Sequence, residues 1–217
     1  KSLLLFSLLS LISQSLPAQS PDGFLGVSFG ASEARAREIM AQKNGCTLDE
    51  EHKVPGYLSY MNASFAGHKT LYVSFMFVYD KFFRGTAYFD PDPRLPVLSQ
   101  YRQIKTEFIQ LYATPSSVSE VYDEQGIKSG QVIFSCNWLF PNHTDPDPLA
   151  CQVVSLSIAE EMVVKLTCTD GKILKWANLE KKRRANNLRN IEKLFKFYFL
   201  VLLWQRFLIP LRCIRND

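Results

Sequence analysis

The sequence predicts an α+β domain: an antiparallel sheet with two helices packed on one face, in a loose duplication of a helix-plus-strands unit. Three observations carry this. Two segments, Ser32–Lys43 and Val97–Tyr112, have apolar residues at helical spacing. The remaining regular segments alternate apolar and polar residues and mostly follow one another directly, which favours an antiparallel sheet over a parallel α/β arrangement. The order also repeats, with halves near 23–90 and 97–178, and Asp-Pro-Asp-Pro occurs in both connectors (90–93 and 145–148).

Each element follows from its residues. Gly23–Phe29 is a short apolar strand broken by Gly30. Ser32 can cap the first helix, because its hydroxyl can accept an orphan backbone N–H. Ala36, Ile39 and Met40 form the apolar stripe of that helix, and Asn44-Gly45 ends it. Tyr57–Met61 is the next strand. Thr70–Tyr79 alternates most clearly, with Leu71, Val73, Phe75, Phe77 and Tyr79 on one face. Asp80-Lys81 turns it into Phe82–Phe89. Three prolines in the connector 90–96 exclude regular structure. The second helix, Val97–Tyr112, aligns Tyr101, Ile104, Phe108 and Leu111 and stops at Pro115. Strands are predicted at Val118–Tyr122, Gln131–Phe140, Gln152–Ile158, Met162–Thr169 and Ile173–Asn178. Asp170-Gly171 reads as a type I′ hairpin turn between the last two.

The ends differ from this body. Lys1, then the apolar run Leu3–Ile12, then Pro17 and the small-x-small Ala18-Gln19-Ser20, read as a secretory signal peptide over residues 1–20. The run is too short to span ~30 Å of hydrocarbon. The expected location is therefore periplasmic or extracellular. No Cys stands at the cleavage region, which speaks against a lipid-anchored lipoprotein. Residues 21–187 form the domain, and 188–217 form a basic, apolar tail. Residues 1–180 carry 15 Lys/Arg against 19 Asp/Glu, whereas 181–217 carry 10 against 2. The basic excess thus sits wholly in the tail, and an exported protein seldom meets nucleic acid. Phe197–Trp204 is eight apolar residues without a break. Three readings compete for it: an interfacial membrane-surface helix, a packing element, or foreign sequence. The change of style after about residue 187 favours the last.

No catalytic, cofactor or metal motif stands out. Gly26-Val-Ser28-Phe-Gly30 fits G-x-S-x-G, which would make Ser28 the nucleophile of a small hydrolase with His143 as its base. Its place in the first strand of a short domain argues against that. His143, Asp145 and Asp147 lie close in sequence, but the prolines between them restrict convergence, and a calcium loop would need a Gly turn and a distal Glu. His52, His68, Asp90 and Asp92 read as surface groups, and Lys181–Arg184 as a solvated helix end. Cys46, Cys136, Cys151, Cys168 and Cys213 contain no CxxC pair. The alternation puts Cys168 inward and Cys151 outward, which disfavours a bridge between them. Cys136 either pairs with Cys168 or is a buried thiol. Asn62-Ala-Ser64 and Asn142-His-Thr144 are glycosylation sequons in a eukaryotic host.

The aromatic content points to a surface. Both faces of Thr70–Phe89 carry large groups. One must pack the helices. The other, with Tyr72, Met76 and Tyr88, is either a partner-binding surface or is covered by the N-terminal segment or the tail.

Phe24-Leu-Gly-Val-Ser-Phe-Gly30 before a charged helix, the Tyr101…Leu111-Tyr112-Ala-Thr-Pro115 exit, and a closing hairpin with a Lys-rich end resemble small exported bacterial proteins of unknown function. The helix-then-strands doubling is more distantly similar to beta-lactamase inhibitor proteins and to small lipoproteins of the outer-membrane assembly machinery. That resemblance implies a non-catalytic binding module with an exposed sheet face, whose partner is a protein or other envelope component. It carries over no site residues.

Overall fold

In a computed structural model, residues 20–51, 54–120, 134–142, 144–159 and 162–212 are described, with Leu188, Glu192 and 194–212 described by backbone alone. The predicted signal peptide up to residue 19, His52 and His143 lie outside them. The described residues form a nine-stranded antiparallel sheet, three α-helices and a short 3-10 turn at Pro148–Ala150.

It begins with a hairpin of two short strands, β1 (Gly23–Phe24) and β2 (Val27–Ser28). The single strand expected over 23–29 is therefore folded back on itself. Leu25 (φ 51°) and Gly26 (φ 80°) turn it, both in the left-handed region that a type I′ turn requires. Helix α1 (Glu33–Ala41) follows. As expected, Ser32 caps it, its Oγ accepting from Arg35 N at 3.2 Å. Asp80 adds a second cap across 47 residues, accepting from Glu33 N at 2.9 Å.

Strands β3 (Thr47–Leu48), β4 (Tyr57–Met61), β5 (Ser64–Phe65), β6 (His68–Val78) and β7 (Lys81–Phe89) complete the first half. Tyr79 (φ 49°) and Asp80 (φ 58°) make the β6–β7 turn. It sits one residue earlier than Asp80-Lys81, because Val78 pairs with Lys81. Helix α2 (Val97–Tyr112) has the expected bounds. Strands β8 (Ser117–Glu120), β9 (Phe134–Phe140), β10 (Gln152–Ile158) and β11 (Val164–Asp170) make the second half.

The main path through the sheet runs β3-β4-β6-β7-β11-β10-β9-β8, with β5 paired to β6 beside it. This order is symmetric: each half contributes a helix followed by four strands of the main path. The last strands, β7 and β11, meet at the centre, where Thr86 pairs with Thr167.

Strand alternation sends one set of residues toward the helices. Val73, Phe75, Ala87, Leu166, Val154, Leu156 and Trp138 are almost wholly buried, with Met40 of α1 and Tyr101, Ile104 and Phe108 of α2 in the same core. Ile39 packs at its margin. Burying a large apolar side chain contributes about 1.5–3 kcal/mol. Phe24 lies directly over Gly85 of β7: a Cβ built on Gly85 would stand 2.2 Å from the ring. The missing side chain is what admits the N-terminal hairpin to the core.

The last expected strand is a correction. Gly171 begins helix α3 (Gly171–Arg212), so Ile173–Asn178 is helical and the closing hairpin is absent. Asp170 acts as the cap, its Oδ1 accepting from Ile173 N at 2.9 Å. Asp-Gly serves here as a helix start rather than a turn. Gly171 is required because a Cβ would stand 2.3 Å from the Leu149 carbonyl oxygen. The helix also continues across residue 187, so the tail is not a separate element.

Candidate binding surface

The pairing registers define the outward side of the sheet, opposite the two core helices. Its middle row takes one small polar residue from each of seven neighbouring strands: Ser59, Ser74, Thr86, Thr167, Ser155, Asn137 and Ser117. Asn137 Nδ2 donates to Ser117 Oγ at 3.1 Å within this band. The flanking row on one side reads Met61, Tyr72, Tyr88, Lys165, Ser157, Ser135 and Ser119. On the other side it reads Tyr57, Met76, Arg84, Thr169, Val153 and Leu139.

All three residues singled out in the sequence, Tyr72, Met76 and Tyr88, lie on this side and are half-buried. The Tyr72 and Tyr88 rings stack at 4.3 Å between centroids, as directly opposed cross-strand residues can. Lys165 Nζ stands 5.9 Å from the Tyr88 ring. Met61 is 45% exposed at the margin. Asp49, Tyr57, Ser59, Met61 and Tyr72 enclose a hollow of about 410 Å³. Arg84 and Lys165 each stand two residues before the central threonines, on diagonally opposite sides of them. Arg84 Nε donates to Thr169 Oγ1 at 3.2 Å. None of the residues in these three rows is acidic.

Among the described residues, neither suggested cover lies here. The described part of the N-terminal segment packs on the helix side through Phe24 and Val27. Helix α3 is held at the β6–β7 turn, where Trp176 meets Tyr79 edge-on at 5.8 Å and Lys81 Nζ lies 5.4 Å from the Trp176 ring.

Elsewhere, charged groups are engaged in holding the fold. A cleft of about 480 Å³ between the β5–β6 turn, the proline-rich connector and α2 is lined by His68, Asp90, Asp92, Arg94 and Gln100, among others. His68 Nε2 shares a 2.6 Å hydrogen bond with Glu107 Oε2. It is half-buried rather than the surface group its sequence suggested, because the fold spans 39 residues to supply a partner. Gln100 Nε2 donates to Asp90 O at 2.7 Å. The Arg94 guanidinium holds the Asp92 carboxyl below its ordinary range. Asp145 and Asp147 converge on Lys175, at 2.7 and 3.0 Å; Lys175 lowers the Asp145 carboxyl, and the Leu149 backbone N–H, with Lys175 second, lowers that of Asp147. Their proximity thus makes an ion-pair cluster, and among the described residues no group of three or more His, Cys, Asp or Glu could hold a metal.

Ser28 is exposed on the two-stranded hairpin, outside the main sheet. A nucleophile elbow instead needs a sheet strand turning into a helix. Cys136 and Cys168 are buried free thiols on β9 and β11, with β10 between them. Burial pushes the Cys168 thiol up to about 12. Cys46 and Cys151 are free and partly exposed.

At the outer edge of α2, Glu120 accepts from Lys105 Nζ at 2.5 Å and from Tyr101 Oη at 3.1 Å. Partial burial raises the Glu120 pKa, but these two donors outweigh it and hold the carboxyl below its ordinary value.

Compared with known proteins, the chain matches no family model, and no curated protein or solved structure is significantly similar to it.

Proposed function

We propose that this chain is an exported, non-catalytic binding module whose working surface is the outward side of the first half of the sheet. The observation that carries the reading is the Tyr72–Tyr88 stack, framed by Met61, Met76 and Tyr57 on a side that no core helix covers. Tyrosine and methionine are enriched at protein interfaces, because they bring large contact area with adaptable shape or a polar tip. The accessible part of the neighbouring polar band, Thr167, Ser155 and Asn137, offers donors and acceptors, whereas Ser59, Ser74 and Thr86 are buried beneath the aromatic half; Arg84 and Lys165 add positive charge. The complementary partner is a protein or other envelope component presenting apolar groups beside acidic or acceptor-rich ones. The leader-like N-terminus supports export to the periplasm or the extracellular space.

The test is retention of envelope and culture-fluid components on the immobilised full chain, compared with the Tyr72→Ala/Tyr88→Ala variant. A component bound through this face should bind the variant about 30-fold more weakly, the effect of losing one hot spot of about 2 kcal/mol. The thermal midpoint should change little. Equal retention on both proteins would remove the proposal. Export is tested separately by fusing residues 1–20 to a reporter and locating it.

A further inference from the structure

Helix α3 is the longest helix among the described residues. The helix is 42 residues long, which at 1.5 Å per residue is about 63 Å. Its first turns are fixed to the body by the Asp170 cap, the Trp176–Tyr79 contact and the Arg184 guanidinium, 4.4 Å from the Tyr79 ring. Arg183 and Arg184 also bind Glu180, at 2.8 and 2.9 Å. Beyond Arg184, every residue with a described side chain is exposed, Ile191 to 48%. A helix standing alone in water is marginal, and most helices gain their stability from burying one face.

Spacing sorts this stretch into two stripes. Leu188, Ile191, Phe195, Tyr198 and Leu202 recur in steps of three and four residues and share one side of the helix. Lys182, Arg189, Lys193 and Lys196 share a side roughly opposite. From Phe197 to Trp204 the apolar character spreads around the whole helix. No helix among the described residues is long and apolar enough to cross a membrane. Two surfaces could bury the apolar stripe: a lipid interface or the same stripe of a second copy. Charge decides between them. Residues 181–217 carry 10 Lys/Arg and 2 Asp/Glu, so pairing two copies sets like charge against like charge, whereas an anionic bilayer supplies the opposite sign.

We propose that the part of α3 beyond Arg184 is an amphipathic anchor that lies in the plane of an anionic lipid surface. Its Leu/Ile/Phe stripe enters the acyl boundary, and its Lys/Arg stripe sits among the headgroups. The helix thus tethers the domain without spanning the membrane.

The test is co-sedimentation of the full chain with vesicles of phosphatidylcholine and phosphatidylglycerol (about 7:3), against phosphatidylcholine alone. Each basic residue near an anionic surface contributes about fivefold to partitioning. Binding should therefore be at least tenfold stronger on the anionic vesicles and should weaken as salt rises. The Arg189→Glu/Lys193→Glu/Lys196→Glu variant should lose on the order of 100-fold, with near-UV circular dichroism reporting an intact body. The Tyr72→Ala/Tyr88→Ala variant should partition like the parent, which separates this proposal from the sheet-face one. Absence of binding, equal binding to both vesicle types, or light scattering that shows a dimer indifferent to vesicles would each overturn it.

Discussion

The two halves of the sheet share a topology and differ in what they present. Counted outward from the central Thr86–Thr167 pair, Ser74 corresponds to Ser155 and Ser59 to Asn137, so the middle row keeps its small polar character throughout. On the flanking rows, Met61, Tyr72 and Tyr88 correspond to Leu139, Val153 and Thr169, and Met76 and Tyr57 to Ser157 and Ser135. The backbone scaffold is common, but the large aromatic and thioether groups are concentrated on one half. Packing alone does not require that asymmetry, since both halves bury comparable inward rows. It is the kind of difference that a binding surface produces.

The largest expected effect lies at the centre of the core, where Leu166 corresponds to Gly85. Leu166 is fully buried, and Leu166→Ala should cost about 2–5 kcal/mol in chemical denaturation through lost burial and a cavity. Gly85→Ala acts in the opposite sense, by overfilling. With the Phe24 ring 2.2 Å from the new Cβ, it should cost about 1–3 kcal/mol. A neutral Gly85→Ala would mean that the N-terminal hairpin is not seated there.

The helix exits supply the next contrast. After α1 the left-handed position is occupied by Gly45 (φ 81°), but after α2 it falls on Ala113 (φ 64°, ψ −162°), in a region nearly reserved for glycine. That conformation aims the Ala113 carbonyl at Trp138, whose Nε1–H donates to it at 2.8 Å. Ala113→Gly should therefore raise stability, by about 1 kcal/mol, and a lower thermal midpoint would contradict the strain.

A smaller effect is expected where β8 meets α2. Because the Glu120 pKa is depressed in the folded state, its contribution is fully present above its unfolded value near 4.5. It is lost as pH falls through the folded value. Glu120→Gln should be less stable than the parent at pH 7, by no more than about 1 kcal/mol given its partial exposure. The difference should vanish in acid. A difference that persists there would show that the ion pair with Lys105 is not its source. Thiol labelling mapped by peptide should find Cys46 and Cys151 reacting well before Cys136 and Cys168, whose burial keeps them as thiols.

Much of this architecture was legible in the sequence, and the failures share a cause. Helix α2 and the inward rows of β10 and β11 follow from periodicity, because a buried face imposes its period on the residues that form it. The turns were harder. Leu25-Gly26, Ala66-Gly67 and Tyr79-Asp80 all adopt positive φ at both positions, yet Leu, Ala and Tyr are not residues that advertise it. Asp170-Gly171, which does advertise it, starts a helix instead, since an aspartate serves a helix N-terminus as readily as a turn. The Tyr72, Met76 and Tyr88 surface could be proposed from alternation alone. Its hydroxyl band could not, because that band is assembled from seven strands whose registers only the folded sheet defines. The pairing of His68 with Glu107 was hidden for the same reason.

The most direct test of the sheet-face claim is hydroxyl-radical footprinting of the full chain, with and without its captured component. The outward residues Met61, Tyr72, Met76 and Tyr88 should become protected on binding, while Leu139 and Val153 at the corresponding positions of the other half stay reactive. Protection of the second half instead, or confined to the helices, would contradict the account.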